Sequence, residues 1–329
     1  MKKTLALFLA LCMMFAMCAS VANADVSDRT IRFSTTSADG TTIADAMYLF
    51  ADKVAELSDG KMKVEVFTNS TLGDGPQALQ NAQLGVQEMT MTQPTYIASN
   101  GAAGFTALSL PYIYNSLEHQ MKVINGEIGA NLLDTVQASG VHLIGIGFWS
   151  EGSRNFFTVK PVTCFEDIAG MKLRCMQNEV DTQMVKALGA SPTPIAFGEL
   201  YSALQTGVVD GAENPLDGIY SSKFYEVCKN IVMDEHSMPP TVIVFSEPIW
   251  NGYSEEEQQI IRDAWAFVAD TNYDVVNAGM IEYKELLEAE GCVITELEDK
   301  DKWSGAMADV YAQFGADCSD VIDAISALK

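Results

Sequence analysis

The sequence has 329 residues, 48% of them apolar and 19% charged, which excludes a wholly disordered chain and leaves room for a sizeable core, split by length over roughly two domains. Its 44 acidic against 20 basic residues give a net charge of −24; this excludes a general nucleic-acid binder, which needs a basic face, and on first reading argues against an anionic ligand. Seven cysteines are ordinary usage at this length and exclude a disulfide-dense miniprotein.

Residues 1–24 read as a secretory signal. Lys2 and Lys3 precede an almost wholly apolar run from Leu5 to Val21, and Ala22-Asn23-Ala24 matches the small-x-small cleavage pattern. A membrane anchor is the competing reading, but the run is near the short limit for spanning. Cys18 does not follow a small residue, as a lipoprotein site would require, because Met17 precedes it. Cleavage before Asp25 removes two lysines and no acid, leaving a mature chain at −26. Five cysteines then remain, Cys164, Cys175, Cys228, Cys292 and Cys318, with no C-x-x-C among them. They read as small buried residues, with one bridge left open.

Strand-like and helix-like segments alternate from there. Ile31–Ser34 is a short strand, and Thr42–Leu57 carries apolar residues at helical spacing, stopped by Asp59-Gly60. Lys61–Phe67 alternates Met62, Val64 and Val66 with charged residues, as a half-buried strand does. A helix over Pro76–Leu84 and a strand over Glu88–Thr92 complete a βαβαβ run, which implies a mostly parallel sheet. Ligands bind beyond the carboxyl ends of such strands, so residues 35–42, 69–75 and 93–95 are expected at a mouth.

Val141–Trp149 is expected as a long apolar strand with Ile144, Ile146 and Phe148 on one face. Strands follow over Arg154–Val159, Lys172–Cys175 and Thr241–Phe245, with short helices over Val180–Leu188 and Glu199–Thr206, each ended by glycine. Ser254 and Glu257 form a capping box opening the longest helical pattern, which runs to Gly291. A single helix of about 35 residues would span about 50 Å, which implies a bridge between two lobes. One strand, Cys292–Thr295, and a final helix pair close the chain.

The usual signatures of catalysis are missing. His119, His142 and His236 lack ligand spacing, so no metal is expected, and there is no G-x-S-x-G or P-loop. Gly145-Ile146-Gly147 is half a dinucleotide fingerprint, but Phe148 and Trp149 would crowd a pyrophosphate; no cofactor is expected. What stands out is arginine. Arg174 sits in the apolar run Met171–Met176, and Arg154 follows Trp149 and precedes Phe156-Phe157. A guanidinium at the end of a buried strand needs a partner: either an internal carboxylate, as a structural ion pair, or a ligand carboxylate held by its planar fork.

Three runs then carry a resemblance: Gly170-Met-Lys-Leu-Arg174; Leu188-Gly-Ala-Ser-Pro-Thr-Pro194; and the block from Glu199 through Gly207 and Gly211 to Glu213-Asn214-Pro215. Together with Leu72-Gly73-Asp74, Ser109–Tyr112 and Trp149–Arg154, they resemble the solute-binding subunits of TRAP (tripartite ATP-independent periplasmic) transporters, DctP type, over residues 29–329. The resemblance implies an α/β, two-lobed, periplasmic-binding-protein-like fold with a ligand cleft between the lobes and a long bridging helix. It implies 25–151 with 240–279 as lobe I and 152–239 with 280–329 as lobe II, behind the 1–24 signal peptide. Chain crossings are expected near Glu151 and Met238–Thr241, and a helix bend around Asn277–Met280.

It further implies a non-enzymatic, monomeric, periplasmic receptor that hands a small organic acid to integral-membrane TRAP subunits. Arg174 matches the arginine that binds the ligand carboxylate, Arg154 a second arginine, Asn214 an amide at the carboxylate end, and Phe197 an aromatic of the cleft wall. Thr36 and Gln93 match first-lobe positions facing the rest of the ligand. Trp149 is read as either cleft wall or core. Gly75 stands where some relatives carry an acid and Gln93 where sialic-acid binders carry Glu, which disfavours sialic acid. A hydroxylated monocarboxylate such as an aldonate or uronate is the expected ligand. The alternatives are a C4-dicarboxylate or 2-oxo acid and, in another class, an exported sugar-acid enzyme, which would need a general base beside the pocket.

Overall fold

The computed structural model describes residues 26–328, so the secretory signal read at 1–24 lies outside the described residues. The first half of the chain follows its periodicity. It forms β1 (Arg29–Ser34), α1 (Thr42–Leu57), β2 (Met62–Phe67), α2 (Gly75–Gln83) and β3 (Met89–Thr92). Thr41 caps α1 by accepting from Ala44 N, and Asp74 caps α2 by accepting from Gln77 N, each satisfying a free helix N–H. Three further helices, α3 (Pro94–Ser99), α4 (Leu117–Ile124) and α5 (Glu127–Ala138), then lead to β4 (Leu143–Trp149).

The chain next forms β5 (Arg154–Thr158), β6 (Lys172–Cys175), α6 (Glu179–Ala187), β7 (Ser191–Pro194), α7 (Leu200–Gln205), β8 (Gly211–Asn214), α8 (Leu216–Ser221) and β9 (Asn230–Ser237). After β10 (Thr241–Ser246) come α9 (Glu247–Trp250), α10 (Glu255–Ala269), α11 (Asn272–Ala289) and β11 (Val293–Glu296). The end is three short helices rather than a pair: α12 (Lys300–Gly305), α13 (Ala308–Phe314) and α14 (Ser319–Ala327).

The strands form two sheets, ordered β2-β1-β3-β10-β4 and β11-β9-β5-β8-β6-β7. In the first, β1 runs parallel to β2 and β3, as the βαβαβ run predicts, and β10 inserts antiparallel between β3 and β4. The chain passes from the first sheet to the second between Trp149 and Arg154 and returns between Ser237 and Thr241, at the two crossings expected.

The long helical segment departs from expectation. It is divided into α10 and α11 at Asp270-Thr271, where the helical spacing marks no break. Thr271 turns its backbone N–H and its hydroxyl back onto the Val268 carbonyl. Beside it, buried Asn272 spends its side chain on the crossover: Oδ1 accepts from Ser150 N at 2.7 Å and Nδ2 donates to Ser150 O at 3.0 Å. The predicted capping box at Ser254 and Glu257 is present, and Glu257 also takes a two-pronged pair from Arg29.

β4 also differs. Gly145 to Gly147 spans one step of β10, Val244 to Ile243, so Ile146 is an extra residue. Ile144 and Ile146 point to the core under α1 and α10, but the bulge flips Phe148 to the opposite core, against Phe105. A Cβ at Gly147 would lie 2.3 Å from Trp265, so that glycine admits the indole. Among the described residues all five cysteines are free.

Candidate functional site

A narrow cleft with a cavity of about 70 Å³, partly open to solvent, lies between the two sheets. Strand ends build it. Beyond β1 stand Thr35, Thr36 and Ser37, and beyond β3 stands Gln93; these are the mouth loops expected from the parallel topology. From the second sheet come Arg154 at the start of β5, Arg174 one residue before the end of β6, and Asn214 at the end of β8. Asn214 is a strand residue, paired with Asn155 of β5. Its side chain stands close over Gly218, where a Cβ would meet Oδ1 at 2.3 Å.

Arg174 is almost fully buried, with 3% of its side chain exposed. Its Nε donates to Ile195 O at 2.9 Å, and the Phe197 ring centre lies 5.7 Å from its guanidinium carbon. Its Nη1 is buried without a hydrogen-bond partner, 3.7 Å from Glu213 Oε1. Burial pushes its pKa down, Glu213 works against that, and the charge of Arg154 adds to the depression. This guanidinium is short of negative charge where it lines the cleft.

Arg154 makes the closer pair with the same carboxylate. Its Nε pairs with Glu213 Oε2, and Nη2 donates to Glu213 O at 3.3 Å. Glu213 Oε2 is 3.7 Å from His236 Nε2, and His236 Nδ1 is 2.7 Å from Asp234 Oδ2. Asp234 in turn accepts from Phe156 N, and the Phe156 ring stacks on the imidazole at 4.5 Å. Burial opposes ionisation of Glu213, but Arg154 and His236 outweigh it and hold its carboxyl well below the usual range. Burial likewise opposes charge on His236, but Asp234 and Glu213 raise it to about 9. Inside Gly-Ala-Glu-Asn nothing local sets Glu213 apart, and only a fold that brings positions 154 and 213 together reveals it.

Of the expected site residues, the cleft gathers Thr36, Gln93, Arg154, Arg174, Phe197 and Asn214. Trp149 is the exception. It is 1% exposed and packs edge-on against Trp265, because the β4 bulge turns it into the core. The pocket reading of Trp149 is therefore corrected to core. At Gly75 a Cβ would lie 2.7 Å from the Tyr96 ring, so a larger residue there would displace Tyr96 from the cleft wall. Gln93 Oε1 is a second buried polar atom without a partner.

Contacts also cross the cleft. Asp217, on α8, accepts from Thr42 N and Oγ1 at the start of α1, both at 3.0 Å, and Ser221 and Tyr283 hydroxyls both donate to Gly40 O. Among the described residues no cluster of His, Cys, Asp and Glu could hold a metal, and no helix is long and apolar enough to cross a membrane.

Two sheets, a polar cleft between them and a buried guanidinium in its floor define a two-lobed α/β solute-binding protein. Residues 33–317 match the DctP model, "Bacterial extracellular solute-binding protein, family 7", and the chain belongs to that family. It is 32% identical to solute-binding protein RD1_1052 of Roseobacter denitrificans, with 84% of each chain covered. The structure of that relative, a TRAP periplasmic solute binding protein with bound L-galactonate, superposes with a TM-score of 0.84 over 92% of this chain and 99% of its own. The chain is 32% identical to the C4-dicarboxylate-binding periplasmic protein DctP of Rhodobacter capsulatus, covering 73% of this chain and 72% of that one. The sugar acid binding protein DctPAm of Advenella mimigardefordensis, in complex with galactonate, superposes with a TM-score of 0.88 at 32% identity, over 93% of this chain and all of that one. The protein is a solute-binding protein of the TRAP class.

Proposed function

We propose that the protein is a periplasmic receptor for a hydroxylated monocarboxylate, a sugar acid such as an aldonate or uronate, which it delivers to TRAP integral-membrane subunits. The observation that carries this reading is the buried, unpartnered Nη1 of Arg174 at the cleft floor. A ligand carboxylate supplies the charge that Arg174 lacks, and its fork suits two parallel hydrogen bonds. Asn214 serves the same end of the ligand and Phe197 walls it. Arg154, tied to Glu213 through Nε and Nη2, adds a second positive charge to the cleft. The hydroxyl of Thr36 and the amide of Gln93 face the hydroxylated remainder. The galactonate seen in two relatives supports this ligand class.

Closure follows from differential contact. A ligand shifts an equilibrium only by preferring one state, and one held at its carboxylate by the second sheet and at its hydroxyls by the first prefers the closed cleft. We assign 25–151 with 240–279 to lobe I and 152–239 with 280–329 to lobe II, behind a cleaved 1–24 signal peptide. The protein acts as a monomer, binds no nucleic acid, and carries out no reaction on its ligand. A thermal-shift screen of C6 aldonates, uronates, C4-dicarboxylates and 2-oxo acids tests the reading. A stabilising sugar acid that NMR shows to survive incubation unchanged is the expected result. Stabilisation by dicarboxylates alone, or turnover of the acid, would overturn it.

A further inference from the structure

Glu151 lies on the first crossover and lines the cleft. Its Oε1 accepts from the Thr241 hydroxyl, at the second crossover. The segment that carries it is held from both sides. Ser150 is gripped by Asn272 through N and O, its hydroxyl pairs with Gln120, and Gly152 N donates back to Ser150 Oγ. Gly152 has φ +78° and packs so close that a Cβ would lie 3.2 Å from Val276 and Met280 atoms. A half-buried carboxylate on so constrained a backbone is held at one place along the cleft wall.

The charges around it fix what it can meet. Glu213 is paired with Arg154, and Asp217 is spent on the start of α1. Arg174 holds a buried N–H without a hydrogen-bond partner in the cleft floor, whereas the charge of Arg154 is answered at close range by Glu213. One ligand carboxylate therefore finds a cation. A second carboxylate on a short ligand finds Glu151 in a half-buried site, where like charges repel more strongly than in open water. A ligand hydroxyl placed there finds a charged acceptor instead.

We propose that Glu151 determines specificity: its carboxylate accepts hydrogen bonds from ligand hydroxyls and rejects a second ligand carboxylate, so sugar monoacids bind and short diacids do not. This rests on the sugar-acid reading above. The test is calorimetric titration of wild type and Glu151→Gln with a panel of C6 aldonates and uronates and with succinate, alongside the melting temperature of each ligand-free protein. Glu151→Gln keeps the shape and removes the charge. Its sugar-acid affinity should fall about tenfold or more while succinate affinity rises, so that the preference narrows from both sides. Thr241→Val, which removes the supporting hydroxyl and no charge, should narrow it several-fold with little change in melting temperature. If wild type binds a sugar acid and the preference is unchanged in Glu151→Gln, or both affinities fall in step, the role of Glu151 is overturned and the sugar-acid reading stands. If wild type binds no sugar acid, both fall.

Discussion

Replacing Arg174 by alanine should separate binding from folding. Within the protein its guanidinium makes one direct hydrogen bond, to Ile195 O, and only a long 3.7 Å approach to Glu213, which keeps its stronger pair with Arg154. Stability should therefore fall modestly, by about 1–2 kcal/mol for that bond and the lost packing against Phe197. Binding should fall far more. Removing one member of a buried, hydrogen-bonded charge pair costs about 2–5 kcal/mol, which is roughly 30- to 4,000-fold in Kd. Arg174→Lys should restore little, because an ammonium cannot both donate to Ile195 O and present a fork. Calorimetry gives the affinity, and thermal melts with and without sugar acid give the stability. An alanine variant that binds within threefold of wild type, or that ligand stabilises as fully, would refute the argument.

Trp149→Ala should destabilise the fold by about 3–5 kcal/mol, the cost of deleting a buried indole packed on Trp265, and so lower the melting temperature steeply, with ligand affinity at low temperature nearly unchanged. A large loss of affinity in folded protein would return Trp149 to the cleft. His236, raised to about 9 from an ordinary value near 6.5, should keep its imidazolium at pH 7.5, readable by NMR. Because the folded value lies above the unfolded one, its stabilising contribution is complete below pH 6.5 and fades as pH rises through about 9. Urea melts of wild type and His236→Gln should therefore converge across that window.

Local pattern carried the first sheet. The alternation in Met62–Phe67 and the helical spacing of Thr42–Leu57 are properties of short windows, and the fold keeps both. What failed was non-local. The bulge opposite β10 moves Phe148 and Trp149 to cores that plain alternation does not assign them. The break at Asp270-Thr271 exists because Asn272 is recruited by Ser150, 122 positions away. Strands β7, β8 and β9 are short or polar and owe their pairing to neighbours rather than to periodicity. The site divides the same way. Arg174 was legible because a charge inside an apolar strand has few explanations, whereas Glu213 and Glu151 were two acids among 44 until the fold put them beside Arg154 and Thr241. The same geometry resolves the opening charge: a net −24 describes the whole chain, and the cleft floor still holds a guanidinium short of an anion.

A crystal structure of the protein with a bound sugar acid tests the central claim most directly. The account predicts both carboxylate oxygens within hydrogen-bond distance of the Arg174 guanidinium, with Asn214 beside them and the hydroxylated end toward Thr36, Gln93 and Glu151. A carboxylate seated elsewhere in the cleft, with Arg174 turned onto Glu213, would contradict it.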